Sequence, residues 1–237
     1  MQWSDEAIVL VTRPFGETSV IAEVLTREHG RVAGLVHGGR SRRLRPLLQA
    51  GNHVDVRYRA RLDEHLGSLA LEPRRLYAAD VLEQPPALSA LLSMTQLLRL
   101  LAEREPHPRI FEVVQFVLEF IDDVEAWPPV YARFELALLD ELGFGLDLSA
   151  CAVSGSTQDL AYVSPRTGRA VSRREGEPYA GKLLRLPPFL AGGLVDNLAA
   201  ADIVDALALS GHFLEARVLT PHGLVMPSAR SRLQAAR

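Results

Sequence analysis

Apolar and polar residues form short alternating or apolar runs over the first eighty residues of the chain. The clearest alternation spans residues 53–62, where every second side chain is apolar and those between them are polar, mostly arginine. A period of two places the two kinds of side chain on opposite faces of a β-strand. Four further runs bounded by turn residues also have strand character: residues 7–11, 19–26, 31–36 and 66–71. Five short strands with tight connections predict a small barrel, and the five-stranded OB-fold is the leading candidate.

The spacing becomes helical after Pro85 and Pro86. Residues 110–121 are apolar nearly all round, which predicts a buried helix. Leucines recur at helical spacing before this stretch: Leu88, Leu91, Leu92, Leu98 and Leu101. A third helical stripe comprises Tyr131, Phe134, Leu138 and Leu142, and glycines at 143 and 145 end it.

The helical pattern stops at residues 147–178, which are rich in Ser, Gly, Thr, Pro and Arg. We predict a strand at 160–163 and a turn at 165–168 within this insertion, and a return to helix at 200–209. The chain is therefore predicted to be an α+β protein. Its predicted domains are an OB-fold domain at 1–80, a helical domain at 81–146, the insertion at 147–178 and C-terminal helices at 179–237 that complete the helical domain.

Composition indicates the cellular compartment of the protein more clearly than its function. The 26 basic and 29 acidic residues nearly balance, so any nucleic-acid signal must be local. Cys151 is the only cysteine and can form neither an internal disulfide nor a thiolate metal site alone. The N-terminal residues lack the pattern of a secretory signal, and no apolar run approaches the ~18 residues that span a bilayer. We expect a cytoplasmic protein without membrane contact.

Charge is strongly segregated along the chain. Asp55 is the only acidic residue in the span from residue 31 to residue 61. The same span contains eight arginines, which we predict to be the DNA-binding residues: Arg31, Arg40, Arg42, Arg43, Arg45, Arg57, Arg59 and Arg61. Residues 103–141 are acidic, with ten carboxylates against three arginines. The barrel is thus predicted to be basic and the helical domain acidic.

The alternation of apolar and polar residues gives the arginines of this stretch a regular arrangement. Arg57, Arg59 and Arg61 project from one strand face, about 6.6 Å apart along the strand. Guanidinium groups at this spacing suit an extended phosphate backbone, and a basic OB-fold groove is a recurrent binder of single strands. Tyr58 falls on the apolar side, so we expect it in the core, and Phe15 in a turn is a weak stacking candidate. Binding would then be sequence-independent and sensitive to salt.

These segments resemble the RecO family of bacterial DNA-repair proteins. Residues 11–19 (VTRPFGETS) are similar to that family's N-terminal signature, and residues 30–32 with 37–43 (HGGRSRR) to its third strand and basic loop. Residues 133–139 with 142–143 resemble its central helix. Cys151 and residues 164–168 (SPRTG) resemble its zinc-ribbon-like segment. The similarity covers most of the chain in order.

The resemblance implies a non-catalytic recombination mediator without a cofactor. Such proteins bind single- and double-stranded DNA, anneal complementary strands and, with RecR, help to load RecA. They also bind the acidic C-terminal tail of single-strand-binding protein. Arg133 occupies the position that the resemblance assigns to this tail. Its neighbours three and four residues away are not acidic, so a simple ion pair within the helix is absent.

One departure concerns zinc. Some RecO-like proteins hold zinc with two Cys-x-x-Cys pairs, whereas here the pairs are Cys151 with Ser154 and Ser172 with Glu175. One thiolate cannot close a tetrahedral site, so we predict a degenerate zinc-ribbon-like insertion without metal. Cys151 is expected to be a small buried residue rather than a reactive one.

Two other functions stay open from the residues alone. The barrel and helices could form a protein-interaction scaffold without direct DNA contact, with solvated arginines. A metal-dependent nuclease could use the acidic region, where Asp122, Asp123 and Glu125 are close in sequence. No P-loop and no Gly-x-Ser-x-Gly elbow is present in the sequence. Salt-dependent DNA binding separates the mediator from the scaffold, and cleavage with added magnesium identifies the nuclease.

Overall fold

The computed structural model describes residues 1–61, 66–193 and 198–235. The chain divides into two compact units. The first contains Met1–Val124 and Pro227–Leu233, and the second consists chiefly of Glu125–Met226. This division differs from the domain boundaries suggested by composition, because the helices that follow the barrel belong to the barrel's own unit.

Five strands form a closed barrel in the first unit. They are β1 (Gln2–Phe15), β2 (Ser19–Thr26), β3 (Gly30–Val36), β4 (His53–Arg59) and β5 (Gly67–Arg75). Their order is β1-β2-β3-β5-β4, and β4 pairs back to β1. All neighbours are antiparallel except β3 and β5, which pair in parallel. The predicted OB-fold barrel is confirmed.

The period-two pattern sorts the side chains of β4 as predicted. Val54, Val56 and Tyr58 are buried in the barrel core, whereas Arg57 and Arg59 are exposed. Trp3 on β1 stacks on Tyr58 with ring centroids 4.8 Å apart, so Tyr58 is a core residue. The strand ends at Arg59 rather than at residue 62, and Leu62 lies outside the described residues.

Two strands run through prolines that the sequence pattern treats as breaks. The first half of β1 pairs with β4, and its second half, which contains Pro14, pairs with β2 alone. Pro73 of β5 pairs with Val54 beside a register irregularity, beyond the short pairing with β3. A proline has no N–H to donate to a neighbouring strand. It is therefore tolerated where one side of its strand has no neighbour.

The barrel closes where two glycines face each other. Gly34 of β3 and Gly67 of β5 are paired. A Cβ on Gly34 would lie 2.6 Å from the side chain of Leu69, and one on Gly67 would overlap the ring of Tyr58. Small residues at this point let the two strands approach while large core side chains fill the interior.

The first unit also contains helices, including most of the C-terminal one. They are α1 (Tyr77–Asp80), α2 (Pro85–Leu97), α3 (Pro108–Glu119) and α7 (Ser228–Ala235). Prolines open α2 and α3, where a missing N–H is harmless. Helix α3 is buried on one side only, because Glu112 and Phe116 are exposed, so the predicted fully buried helix is corrected to an amphipathic one.

The second unit combines two long helices with a small sheet. The helices are α4 (Trp127–Glu141) and α6 (Ala200–Phe213), and α6 continues as a π-helical turn at Leu214–Leu219. The hydroxyl of Ser210 on α6 donates a hydrogen bond of 2.5 Å to the buried carboxylate of Glu135 on α4. Glu135 therefore does not contribute to the acidic surface expected from its segment.

The insertion at 147–178 and the residues after it form a three-stranded antiparallel sheet of β6 (Leu160–Val163), β7 (Ala170–Ser172) and β8 (Leu184–Arg185), in the order β7-β6-β8. The short helix α5 (Arg173–Gly176) follows β7, and β8 lies beyond the predicted end of the insertion at residue 178. Gly168 adopts a positive φ of 75° in the predicted turn before β7. Within the described parts of the chain, no helix has the length and apolar character that crossing a membrane requires.

Candidate nucleic-acid interface

A groove of about 660 Å³ runs across the outer surface of β4 and β5 and is bordered by the loop after β3. Arg43 from this loop and Arg57 and Arg59 from β4 line it together. A second hollow of about 640 Å³ shares Arg59 with the groove and adds Arg61. We call this continuous surface the β4 groove. It unites four of the eight predicted arginines.

Local structure explains how these side chains converge. The alternation of β4 sends Arg57 and Arg59 outward while Tyr58 anchors the strand in the core. The loop of residues 37–52 is fixed beside them, because Leu44 and Leu47 pack against the barrel core and Leu48 is buried. Arg43 therefore extends from an anchored loop.

The arginines of the β4 groove differ in the partners that their guanidinium groups contact. Arg57 forms an ion pair with Glu72 of β5, and both side chains are nearly two-thirds exposed. Arg59 donates hydrogen bonds to the side-chain oxygen of Gln2. Among the described residues, neither Arg43 nor Arg61 has a carboxylate partner. As far as the described residues show, Arg43, Arg59 and Arg61 can each accept an anion, whereas Arg57 would first have to break its ion pair with Glu72.

Two other predicted arginines line a separate groove. Arg40 and Arg45 border a hollow of about 390 Å³ together with Arg13 of β1. We call it the β1 groove. The guanidinium group of Arg40 donates to the backbone oxygen of Glu17 at 3.0 Å, which ties it to the turn after β1. Arg42 lies exposed on the loop between.

Arg31 does not belong to this exposed surface. Its side chain is 14% exposed and forms ion pairs with Glu23 on β2 and Glu103. Its Nε also donates to the backbone oxygen of Leu101 at 3.0 Å. The sequence pattern groups Arg31 with the other arginines because both of its acidic partners lie outside the basic span of residues 31–61. In the structure it fixes β3 to the segment after α2, and we omit it from the proposed interface.

Aromatic side chains contribute little to the β4 groove. Tyr58 lines its floor but is only 2% exposed. Phe15, in contrast, is 51% exposed at the end of β1, next to the turn that Arg40 contacts. The described aromatic side chains therefore offer little exposed ring surface in the β4 groove.

Arg133 is exposed on α4, as the predicted partner-binding role requires. Its guanidinium group donates to the backbone oxygen of Phe189 at 2.9 Å and lies 5.8 Å from the centre of the Phe189 ring. No carboxylate pairs with it in the described part of the chain. The contact with Phe189 orients the side chain without itself neutralising the charge of the guanidinium group.

Ser154 and Ser172, which occupy two of the positions where the zinc pattern has cysteine, lie beside Cys151. Burial raises the pKa of the Cys151 thiol, but hydrogen bonds from the side chains and backbone of Ser154 and Ser172 outweigh it and lower the pKa to about 6. Three of the four positions expected from the zinc pattern are thus adjacent in space. In the described residues, no three His, Cys, Asp or Glu side chains converge as a metal site.

Three residues in or beside the two grooves were not predicted from the sequence: Arg13, Gln2 and Glu72. Arg13 lies outside the basic span, so only its outward position on β1 could have indicated it. Glu72 neutralises Arg57 from the neighbouring strand, and only the strand register reveals that pairing. Gln2 approaches Arg59 because β1 and β4 pair at that point.

These features define an OB-fold protein with arginine-lined grooves on the barrel and a second helical unit. Two family models match the chain: "Recombination protein O N terminal" over residues 1–76 and "Recombination protein O C terminal" over residues 82–223. The chain belongs to the RecO family of DNA repair proteins.

Curated relatives agree over the full length. A protein named DNA repair protein RecO from Chelativorans sp. is 52% identical over 100% of this chain and 95% of its own length. The proteins of that name from Beijerinckia indica and Rhodospirillum centenum are each 51% identical, over 97% and 98% of this chain and 92% and 93% of their own lengths.

Proposed function

We propose that the protein is a cytoplasmic, non-catalytic recombination mediator that binds DNA through the barrel. The observation that carries this proposal is the convergence of Arg43, Arg57, Arg59 and Arg61 on one groove. Among the described residues that line it, none is acidic. Guanidinium groups on an outward strand face match the repeating phosphates of an extended strand.

Annealing follows from the same chemistry. Two complementary strands repel each other through their phosphates, and arginines that neutralise part of this charge lower the repulsion. The protein would bind single- and double-stranded DNA without sequence preference, because the groove offers backbone contacts and little base stacking.

The test is fluorescence anisotropy of a labelled single strand over a series of salt concentrations. For roughly five phosphate contacts, made by the four groove arginines and Arg42, we expect a log–log salt slope of about −3.5. The double charge-reversal variant Arg42→Glu, Arg43→Glu should bind DNA of every sequence more weakly, to the same extent.

A matched control removes the same charge elsewhere. Arg166 and Arg185 are exposed in the second unit, and the double variant Arg166→Glu, Arg185→Glu should bind as the unaltered protein does. Equal loss of affinity in both double variants would show only a net-charge effect and contradict the groove. No binding at low salt would favour the protein-interaction scaffold, and strand cleavage with magnesium would identify a nuclease.

We further propose that Arg133 binds the acidic C-terminal tail of single-strand-binding protein, and that the protein acts with RecR to load RecA. The exposed guanidinium of Arg133 supports the first contact. Arg133→Ala should weaken binding of a tail peptide in calorimetry while leaving DNA affinity unchanged. Weaker DNA binding with an unaffected peptide would contradict this assignment.

A further inference from the structure

The β1 groove is a second basic site on the barrel. Arg13 projects from β1, and Arg40 and Arg45 approach from the loop of residues 37–52. All three side chains belong to exposed residues. Within the described chain, none of them forms an ion pair and no carboxylate lines the groove.

The two grooves are physically separate. No residue lines both, and the loop contributes Gly38, Ser41 and Arg43 to the β4 groove but Gly39, Arg40 and Arg45 to the β1 groove. The loop therefore stands between them as a partition.

This partition is anchored to the barrel. Leu48 is 5% exposed, and the side-chain amide of Asn52 donates to the backbone oxygen of Pro46 at 2.8 Å. The backbone of Gly51 donates to that of Val9 at 2.8 Å. A single strand passing from one groove to the other would have to cross this fixed loop.

We propose that the β1 groove binds a second single strand of nucleic acid while the β4 groove holds the first. This inference rests on the proposed function and extends it from one binding surface to two. Arg13, Arg40 and Arg45 contact the phosphates of the second strand, and the exposed ring of Phe15 stacks on one of its bases. The arginine loop lies between the two backbones and lowers their repulsion during annealing.

Native mass spectrometry counts the strands on one protein chain. The probes are two short, non-complementary DNA oligonucleotides of different mass, so that pairing between them cannot mimic binding. We expect one protein chain to carry both oligonucleotides together. The double variant Arg13→Glu, Arg45→Glu should carry one, with an affinity for it within about twofold of the unaltered protein, because separate sites act independently.

The reciprocal variant Arg43→Glu, Arg59→Glu should also carry one strand, and both variants should lose annealing. Arg166→Glu, Arg185→Glu has the same change in net charge and should still carry two. Thermal unfolding checks that each variant is folded, and the milder pair Arg13→Gln, Arg45→Gln should show the same loss of the second strand.

The outcomes separate the two proposals. If the unaltered protein carries only one oligonucleotide, and both double variants bind it more weakly, the two grooves form one path. The proposal of a second site would then be wrong, whereas the proposal of DNA binding would stand. Two strands on the Arg13→Glu, Arg45→Glu variant would also overturn the second site. Failure of the unaltered protein to carry any oligonucleotide at low salt would overturn both proposals.

Discussion

Arg57 and Arg59 are two residues apart on β4, but the fold gives them different neighbours. Arg57 is paired with Glu72, whereas Arg59 contacts the neutral amide of Gln2. Exposed ion pairs contribute about 0–1 kcal/mol, so a phosphate can displace Glu72 at a small energetic cost. Glu72 therefore weakens the contribution of Arg57 to anion binding without abolishing it.

Glu72→Gln should strengthen binding of single-stranded DNA. The substitution removes both the competing carboxylate and its repulsion of phosphate, and we expect a gain of up to about fivefold at low salt. Anisotropy at matched ionic strength measures the effect.

Asp80→Asn is the matched control, because Asp80 pairs with Arg75, which does not line the β4 groove. An unchanged affinity in Glu72→Gln, or the same gain in Asp80→Asn, would show that the pairing with Arg57 does not limit binding.

At the scale of elements, the barrel depends on the short contact between β3 and β5. Only two residue pairs join these strands, and one of them is Gly34 with Gly67. The space beside each glycine is already filled by Leu69 or Tyr58. The closure is therefore governed by steric fit, which the alternation of apolar residues alone does not reveal.

Gly67→Ala should destabilise the barrel by about 1–3 kcal/mol, because the added methyl group overpacks against the ring of Tyr58. Urea unfolding, followed by tryptophan fluorescence, to which Trp3 stacked on Tyr58 contributes together with Trp127, measures the loss. Gly181 has open space around it, so Gly181→Ala is the control and should change stability little. Equal stability of the Gly67 variant would mean that β5 moves freely at the closure.

At the scale of the whole molecule, one partly buried carboxylate joins five parts of the first unit. Glu6 of β1 contacts Arg27 after β2, His53 of β4 and Arg74 of β5, at 2.5, 3.0 and 2.9 Å. It also accepts a hydrogen bond from Gln115 of α3 at 3.4 Å. Loss of its charge would weaken contacts of the barrel and of α3 at the same time.

This network makes stability depend on pH. Burial opposes the charge of Glu6, but Arg27, His53 and Arg74 outweigh it and lower the pKa of Glu6 below its usual 4.5. Burial lowers the pKa of His53 below its usual 6.5, with Arg74 acting in the same direction against Glu6. In both cases the unfolded chain takes up the proton first, so acid favours unfolding.

The free energy of unfolding should therefore fall as the pH drops below about 6.5 and fall further below about 4.5. Urea titrations across this range measure it. His53→Gln should flatten the upper part of the curve, whereas His37→Gln, at an exposed position on the loop, should leave it unchanged. Parallel curves for His53→Gln and the unaltered protein would contradict the role of His53.

The sequence by itself determined the elements whose pattern is local. Alternation in residues 53–59 specified both the core face and the arginine face of β4, because the strand period is fixed by backbone geometry. Helical spacing likewise located α2, α3 and α4, because the period of the α-helix is fixed by its backbone geometry. The resemblance of several short segments also indicates the family from the sequence alone.

Only the tertiary structure decided which charges remain available. Arg31 and Arg57 meet carboxylates that are distant from them in sequence or on a neighbouring strand, and Arg13 joins Arg40 and Arg45 across a loop. The division of the arginines into two grooves likewise depends on where that loop is anchored. Coulombic partners are set by distance in space, and that distance follows from strand register and packing rather than from position along the chain.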